Sequence, residues 1–525
     1  MGTYDQISQR SSRQASQYSA FWSAADLTRW LPFVVFYAVL ANLPFWIACS
    51  WLGIFRNAWF CLEYVAIGVI ALFVPRFAAA CLLLLVAFLD LLDGVCQTYF
   101  MVPSQCLANL SAVRQFSGLR LLAGTTISLL ILLLAAASAF FPVETIKKKY
   151  RWRTAACLIG FATLSLFVDS RAVFRRTGGI ANYLHPKPAA QDAYTASSYH
   201  VLLSRVPTVR LARKQMVHAK NVESVRRLPQ STLPARSATA QAIGSSGLMA
   251  EKNSQDLPNL VVIVVESWGL NSESAVSNAL MSSYAQPDLA ARYEVLQGAV
   301  PFFGSTVVGE ARELCGNMMG FHILDASSQE LQGCLPDRLA ALGYHSAAMH
   351  GMEGHMFNRS VWYKTIGFQE TWFKDQFERD GLPSCVGVFT GTCDAAIAKW
   401  MGHRLEKRTA NPDFLYWMTL DSHLPVRIPA PLASPASCSF TPALSQRASL
   451  CSWYQLVSNL HRSVASLAMS NLGRPTVFAI VGDHAPPFND PDIRANFSYD
   501  VVPYVLLVPR RSGSVASQPV TMEGK

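Results

Sequence analysis

Two kinds of apolar run divide this chain. In the first 170 residues the runs are long, at 30–51, 59–75, 77–99 and 119–141, with a shorter one at 154–168. A helix needs roughly 20 apolar residues to cross a bilayer, so the pattern predicts five membrane spans. From Leu257 onward the runs shorten, and Gly, Pro and acids flank them. Runs at 260–265, 345–350, 414–420, 476–481 and 501–508 predict strands, and 336–342 and 447–470 predict helices. The unbroken β-branched run Leu260-Val-Val-Ile-Val-Val265 predicts a strand buried on both faces. Alternating strand and helix then predicts an α/β domain with a mostly parallel sheet.

Composition strengthens the membrane reading. Of the 525 residues, 51% are hydrophobic and only 15% are charged, too apolar for an ordinary soluble enzyme. The net charge is +10. The basic residues cluster beside apolar segments and no nucleic-acid motif is present, so the charge points to a membrane surface and not to nucleic acid. Arg10, Arg13 and Arg29 precede the first span, and Lys147, Lys148, Lys149, Arg151 and Arg153 lie between the fourth and fifth. With five spans both groups fall on one side, the cytoplasmic one, and everything after about Ser170 lies outside. Glu63, Asp90 and Asp93 stand near the outer ends of the second and third spans. They read either as intramembrane functional acids or as interfacial residues reaching headgroups.

Three regions follow: a transmembrane domain at 1–170, a linker at 171–256 and an outer domain at 257–525. The linker is basic, with Arg205, Arg210, Arg213 and Lys214 among apolar Val201, Leu202, Val206, Val209 and Leu211. It reads as an amphipathic segment on the membrane surface or as a solvated connector. Around residue 240, Ser-Ala-Thr-Ala-Gln-Ala and then Gly244-Ser-Ser-Gly247 predict flexible chain.

Candidate chemistry sits where the outer strands end. The first predicted strand ends in Glu266, the third in Asp421-Ser-His423 and the fourth in Gly482-Asp483-His484. Open α/β sheets place their ligands at such carboxyl ends, and Glu, Asp and His brought together there make a divalent-metal cage. The loop Gly304-Ser-Thr306-Val-Val-Gly309-Glu310 offers a hydroxyl that a metal could turn into a nucleophile. The outer domain also holds six of the twelve cysteines: Cys315, Cys334, Cys385, Cys393, Cys438 and Cys451. No C-x-x-C pair is present, and an even count fits disulfides in an oxidising compartment, with the pairing left open.

This layout, with Glu266, Thr306, His423 and Asp483-His484, resembles lipoteichoic acid synthases and phosphoethanolamine transferases of the alkaline phosphatase–sulfatase superfamily. Met349-His350-Gly351, Phe357-Asn358-Arg359 and Tyr363-Lys364 resemble the headgroup-binding segment of the former, with Phe357 where Trp is expected. The resemblance implies one divalent ion (manganese, magnesium or zinc) held by Glu266, Thr306, Asp483 and His484. It implies Thr306 as nucleophile and His350, Phe357, Arg359, His423 and Glu310 as substrate-binding residues. It further implies a membrane phospholipid as donor and an envelope polysaccharide or glycolipid as acceptor of a phosphoglycerol or phosphoethanolamine group. The expected location is a bacterial inner membrane, with the catalytic domain in the periplasm.

Two other readings remain open at this level. Cys334-Leu-Pro-Asp-Arg338 fits C-x-P-x-R, the motif in which sulfatases convert Cys to formylglycine. That would make the protein a sulfatase or phosphodiesterase. The simpler reading of Cys334 is a disulfide with Cys315, as the near pairs Cys385 with Cys393 and Cys438 with Cys451 also suggest. The third reading is a membrane-anchored binding protein that keeps the fold without catalysis.

Overall fold

A computed structural model describes most of residues 24–176, residues 206–212, 215–216 and 237–248, and most of 257–510. All five apolar runs are helical. The first is two helices, Ala24–Ala38 and Leu43–Leu52, joined by the turn Leu40–Asn42. Asn42 stabilises this break: its Nδ2 donates to Ala38 O at 3.1 Å and its Oδ1 accepts from Cys61 N at 2.8 Å. Among the described residues, three helices are long and apolar enough to cross a membrane: Trp30–Leu52, Arg76–Thr98 and Leu122–Phe140. The second expected span is only ten residues, Leu62–Ala71, because the chain turns ahead of Pro75. The fifth lies inside the 29-residue helix Lys148–Arg176.

Two acids of this region, Glu63 and Asp93, bond the linker. Arg210 forms an ion pair with the buried Asp93, donating from Nε at 2.7 Å as well as from Nη2. Thr208 donates to Glu63 from its backbone N–H at 3.2 Å and from its hydroxyl. Asp90 accepts from Tyr64 OH at 3.0 Å. A charge at this depth needs a partner, and the basic linker supplies one.

The outer domain is built on a seven-stranded sheet. Its strands are β1 (Asn259–Val265), β2 (Tyr293–Pro301), β3 (His345–His350), β4 (Glu370–Trp372), β7 (Asp413–Met418), β8 (Thr476–Gly482) and β9 (Val501–Pro509), and a separate small hairpin pairs β5 (Ser384–Val386) with β6 (Thr390–Thr392). The order is β2-β9-β8-β1-β7-β3-β4. From β8 to β4 the strands are parallel, while β9 runs antiparallel to both β8 and β2. Strand β1 is central and every residue of it is buried, as is every residue of β7 and β8. Burying a Val or Ile side chain contributes about 1.5–3 kcal/mol, so this apolar run anchors the sheet. Parallel alignment brings the carboxyl ends of β8, β1, β7 and β3 to one edge. The residues that follow them are therefore neighbours.

Residues near 240, expected to be flexible, form the helix Ala238–Ser246. Ser237 caps it, accepting from Ala240 N at 3.0 Å, and Gly247 ends it at φ +67°. This helix packs on β8, β9 and the helix Thr306–Leu314. Small residues, which suggested slack chain, here permit close packing.

Candidate active site

Glu266 begins the turn after β1. Its neighbour Ser267 has φ +55°, an uncommon conformation for a residue with a side chain. Three interactions hold this turn. Ser267 N donates to Asp483 Oδ1 at 2.7 Å, its Oγ donates to Glu266 Oε1 at 2.8 Å, and its carbonyl accepts from Trp453 Nε1 at 2.8 Å. Glu266 is also fixed through its backbone, where its N–H donates to Thr419 Oγ1 at 3.0 Å and its carbonyl accepts from Ser422 Oγ at 2.5 Å.

Thr306 opens the helix Thr306–Leu314, where a loop was expected. Its hydroxyl lies 3.3 Å from both Glu266 Oε2 and His484 Nε2. The helix can come this close because residue 309 is Gly: a Cβ there would lie 2.9 Å from the Asp483 backbone. Arg312, in the last turn, donates to Gly482 O at 2.7 Å, to Pro301 O at 3.1 Å and to Glu313 at 2.6 Å. Glu313 in turn accepts from Thr239 N at 2.9 Å and Thr239 Oγ1 at 2.7 Å. The helix Thr306–Leu314 is thus tied to β8 and to the helix Ala238–Ser246.

Glu266, Asp483 and His484 are buried and offer ligand atoms within 4.8 Å of one another. His484 Nδ1 donates to Ala485 O at 2.9 Å, which directs Nε2 into the cluster. That nitrogen lies 3.2 Å from Asp483 Oδ2, 3.4 Å from Glu266 Oε1 and 3.3 Å from Thr306 Oγ1, more oxygens than one proton can serve. Asp483 Oδ2 is buried and, beyond this ion-pair contact, accepts no hydrogen bond among the described residues. The electrostatics show the same shortage of positive charge. Burial, with the charge of Glu266 added, pushes Asp483 up to about 8. Burial opposes the charge on His484, yet Asp483 and Glu266 outweigh it and raise the ring to about 9. Burial likewise works to raise Glu266, but His423 and then His484 hold it below the usual carboxylate range. Two carboxylates, an imidazole and a hydroxyl around one point fit a divalent cation such as manganese, magnesium or zinc.

The remaining expected residues fall into two groups. His350 ends β3 and hydrogen-bonds through Nδ1 to Met418 O at 3.0 Å; burial, then the charge of Arg359, pushes it down to about 3. His423 hydrogen-bonds through Nδ1 to Leu424 O at 2.7 Å and sits edge-on to Phe389. Arg359 lies over Phe357, 5.1 Å from its ring centre. Glu310 is wholly enclosed. It accepts from Arg359 Nε and Nη2, from Tyr363 OH at 2.5 Å and from Tyr416 OH at 3.1 Å. With both oxygens bonded inside the protein, Glu310 holds Arg359 in place and is not left to bind a ligand itself.

Sequence patterns missed Ser267, Thr419, Ser422, Arg312 and Asp394. Asp394 accepts from Leu420 N at 3.0 Å and Asp421 N at 2.8 Å, while its own N–H donates to Asp421 at 3.1 Å. It thereby fixes the turn that carries Ser422 and His423. Only Ser267 and Ser422 had a local signal, as neighbours of Glu266 and His423.

The cysteines pair as Cys315–Cys334, Cys385–Cys393 and Cys438–Cys451. Cys334 therefore has its sulfur bonded to Cys315, which leaves no thiol for conversion to formylglycine.

The sulfatase family model matches residues 258–521, half of the chain, with Glu266, Thr306 and Asp483-His484 inside the match. The chain belongs to the sulfatase family. No curated protein matches it. Among solved structures, the lipoteichoic acid synthase LtaP of Listeria monocytogenes is 14% identical, covering 52% of this chain and 72% of that one, with a TM-score of 0.36. The phosphoglycerol transferase GacH of Streptococcus pyogenes, in complex with sn-glycerol-1-phosphate, is 16% identical over 53% of this chain and 78% of that one, with a TM-score of 0.32. The C-terminal periplasmic domain of EptC of Escherichia coli, in complex with Zn, is 12% identical over 48% and 73%, with a TM-score of 0.34.

Proposed function

We propose that this sulfatase-family member is a membrane-embedded transferase. It moves a phosphoglycerol or phosphoethanolamine group from a membrane phospholipid to a hydroxyl of an envelope glycan or glycolipid. The observation that carries the reading is the Thr306 hydroxyl, 3.3 Å from Glu266 and from His484 at the start of a buried helix.

Glu266, Asp483, His484 and the Thr306 hydroxyl would hold the divalent ion. When bound, it supplies positive charge that lowers the hydroxyl's pKa and offsets charge on the phosphoryl oxygens. This chain's residues do the rest. Glu266 lies within hydrogen-bond reach to take the Thr306 proton. Thr306 Oγ attacks phosphorus, a P–O bond forms to Thr306, and the bond to diacylglycerol breaks. Diacylglycerol leaves with the electron pair and takes up a proton. The first backbone N–H groups of the helix Thr306–Leu314 and its dipole favour the anionic group there. In the second half an acceptor hydroxyl attacks the same phosphorus and gives up its proton, the P–O bond to Thr306 breaks, and Thr306 Oγ leaves with the electron pair and takes up a proton. His350, with Nδ1 committed to Met418 O, presents Nε2 as an acceptor for a headgroup hydroxyl. Arg359 spends Nε and Nη2 on Glu310 and one Nη1 hydrogen on Met356 O at 3.4 Å, so the second Nη1 hydrogen is the one to meet a headgroup oxygen.

A lipid donor gives the apolar helices a purpose, since diacylglycerol never has to leave the bilayer. We place the protein in a bacterial inner membrane with the domain after 257 in the periplasm, an address that suits three disulfides. The test is intact-protein mass spectrometry after incubation with mixed phospholipids. A phosphoglycerol adduct on Thr306 fixes donor and nucleophile, and a phosphoethanolamine adduct changes the transferred group. No adduct, with lipid turnover unchanged in Thr306→Ala, overturns the reading.

A further inference from the structure

Cys96 and Cys106 lie apart from the chemistry described so far. Cys96 is near the end of Arg76–Thr98, and Cys106 is in the short helix Pro103–Ala108. Their sulfurs are 2.8 Å apart, too close for two unbonded thiols to remain at rest, and both side chains are buried. The other four cysteines of the amino-terminal third are Cys49, Cys61, Cys81 and Cys157.

Their surroundings decide which side of the membrane they share. Both belong to the same continuous buried cluster as Leu211 of the linker and the core of the outer domain. Three contacts bind the linker at this end of the helix: Arg210 to Asp93, Thr208 to Glu63, and Gln215 Oε1 to Ser104 Oγ at 3.2 Å. The pair therefore shares a compartment with Cys315–Cys334, Cys385–Cys393 and Cys438–Cys451, which are oxidised.

We infer that Cys96 and Cys106 form a fourth disulfide, stapling the short helix Pro103–Ala108 to the end of the Arg76–Thr98 helix beneath the linker. Two thiols lose two protons and two electrons, and one S–S bond forms. The electrons pass to a disulfide-bearing oxidant of the class the other three bridges already require: one thiolate attacks it to give a mixed disulfide, and the second thiolate displaces the reduced carrier. The staple holds Ser104 under Gln215 and Asp93 under Arg210. It thus fixes where the linker leaves the membrane, whatever group the active site transfers.

The experiment uses full-length protein in its membranes, denatured without reductant in the presence of an alkylating agent and then peptide-mapped by mass spectrometry. The expected result is a Cys96–Cys106 cross-linked peptide, with alkylation at Cys49, Cys61, Cys81 and Cys157 only. In Cys96→Ser, Cys106 becomes a fifth alkylated site. The three outer bridges serve as the internal control for oxidation. If they are intact while Cys96 and Cys106 are both alkylated, or if either is joined to another cysteine, the inference is overturned.

Discussion

Arg359 holds Glu310 through two nitrogens, Nε at 3.0 Å and Nη2 at 2.6 Å, and both side chains are buried. Glu310 lies one helical turn after Thr306, so the pair joins the helix Thr306–Leu314 to the segment carrying Phe357. Removing one partner of a buried pair costs about 3–5 kcal/mol, because the other charge is left uncompensated. Glu310→Gln should lower the urea midpoint accordingly. Arg359→Lys should do much the same, since an ammonium cannot reproduce the fork. The double replacement Glu310→Leu with Arg359→Met should be less damaging to stability than either single change. If all three unfold alike, the pair is not what holds these elements together.

Thr306→Ala should cut phospholipid turnover by at least about a thousandfold, as loss of a nucleophile does elsewhere. Thr306→Ser keeps the hydroxyl and should retain measurable turnover. Diacylglycerol release measures both. Equal loss in the two variants would argue against attack by the hydroxyl.

Chelation should destabilise the wild-type protein, and a divalent cation should restore it. The gain at a hundredfold excess over the dissociation constant is about 2.7 kcal/mol. Asp483→Asn should flatten that response, read as the thermal midpoint with and without added manganese, magnesium or zinc. The readout needs no substrate and so tests the cage alone.

Gly309→Ala tests the approach of the helix Thr306–Leu314 to Asp483. The new methyl would meet backbone at 2.9 Å, where no side chain can give way. Overpacking of this kind costs about 1–3 kcal/mol. The expected outcome is a modest fall in stability with a larger fall in turnover, because Thr306 moves with the helix. Turnover that falls no more than stability would mean that the helix absorbs the methyl without displacing Thr306.

Replacing Cys315 and Cys334 together by Ala should cost about 3 kcal/mol in stability, for a bridge spanning 19 residues. Turnover of the folded protein should persist. Abolished turnover in a protein that still melts cooperatively would revive the formylglycine reading of Cys334.

Legibility in the sequence followed burial. Strands β1 and β8 are enclosed on both faces, so their apolar runs and terminal acids stand out, and Glu266, Asp483 and His484 fall together as their positions suggest. Strand β2 pairs only with β9 and is partly exposed, so its mixed Tyr-Glu-Val-Leu-Gln-Gly pattern carried no signal. The helix of Thr306 was hidden by its own packing, because Gly304 and Gly309 suggest a loop while Gly309 is what lets the helix touch Asp483. Glu310 was placed beside a ligand because its partners Arg359, Tyr363 and Tyr416 lie 49 to 106 residues away. Only the folded chain shows that they use up its oxygens. Glu63 and Asp93 were likewise read without Thr208 and Arg210, the linker residues that bond them.

The helix Ala238–Ser246 has a consequence for where this protein can be cut. Thr239 supplies two hydrogen bonds to Glu313, and Glu313 steadies Arg312 against the strand that carries Asp483. A protease that clipped the chain on the membrane side of Ser237 would leave this support intact. A cut after Gly247 would leave the same sheet and the same Glu266, Asp483 and His484 cluster, but with the buried Glu313 stripped of two donors in the helix Thr306–Leu314. Cutting at the first site leaves Glu313 bonded, and cutting at the second leaves a domain that loosens from behind.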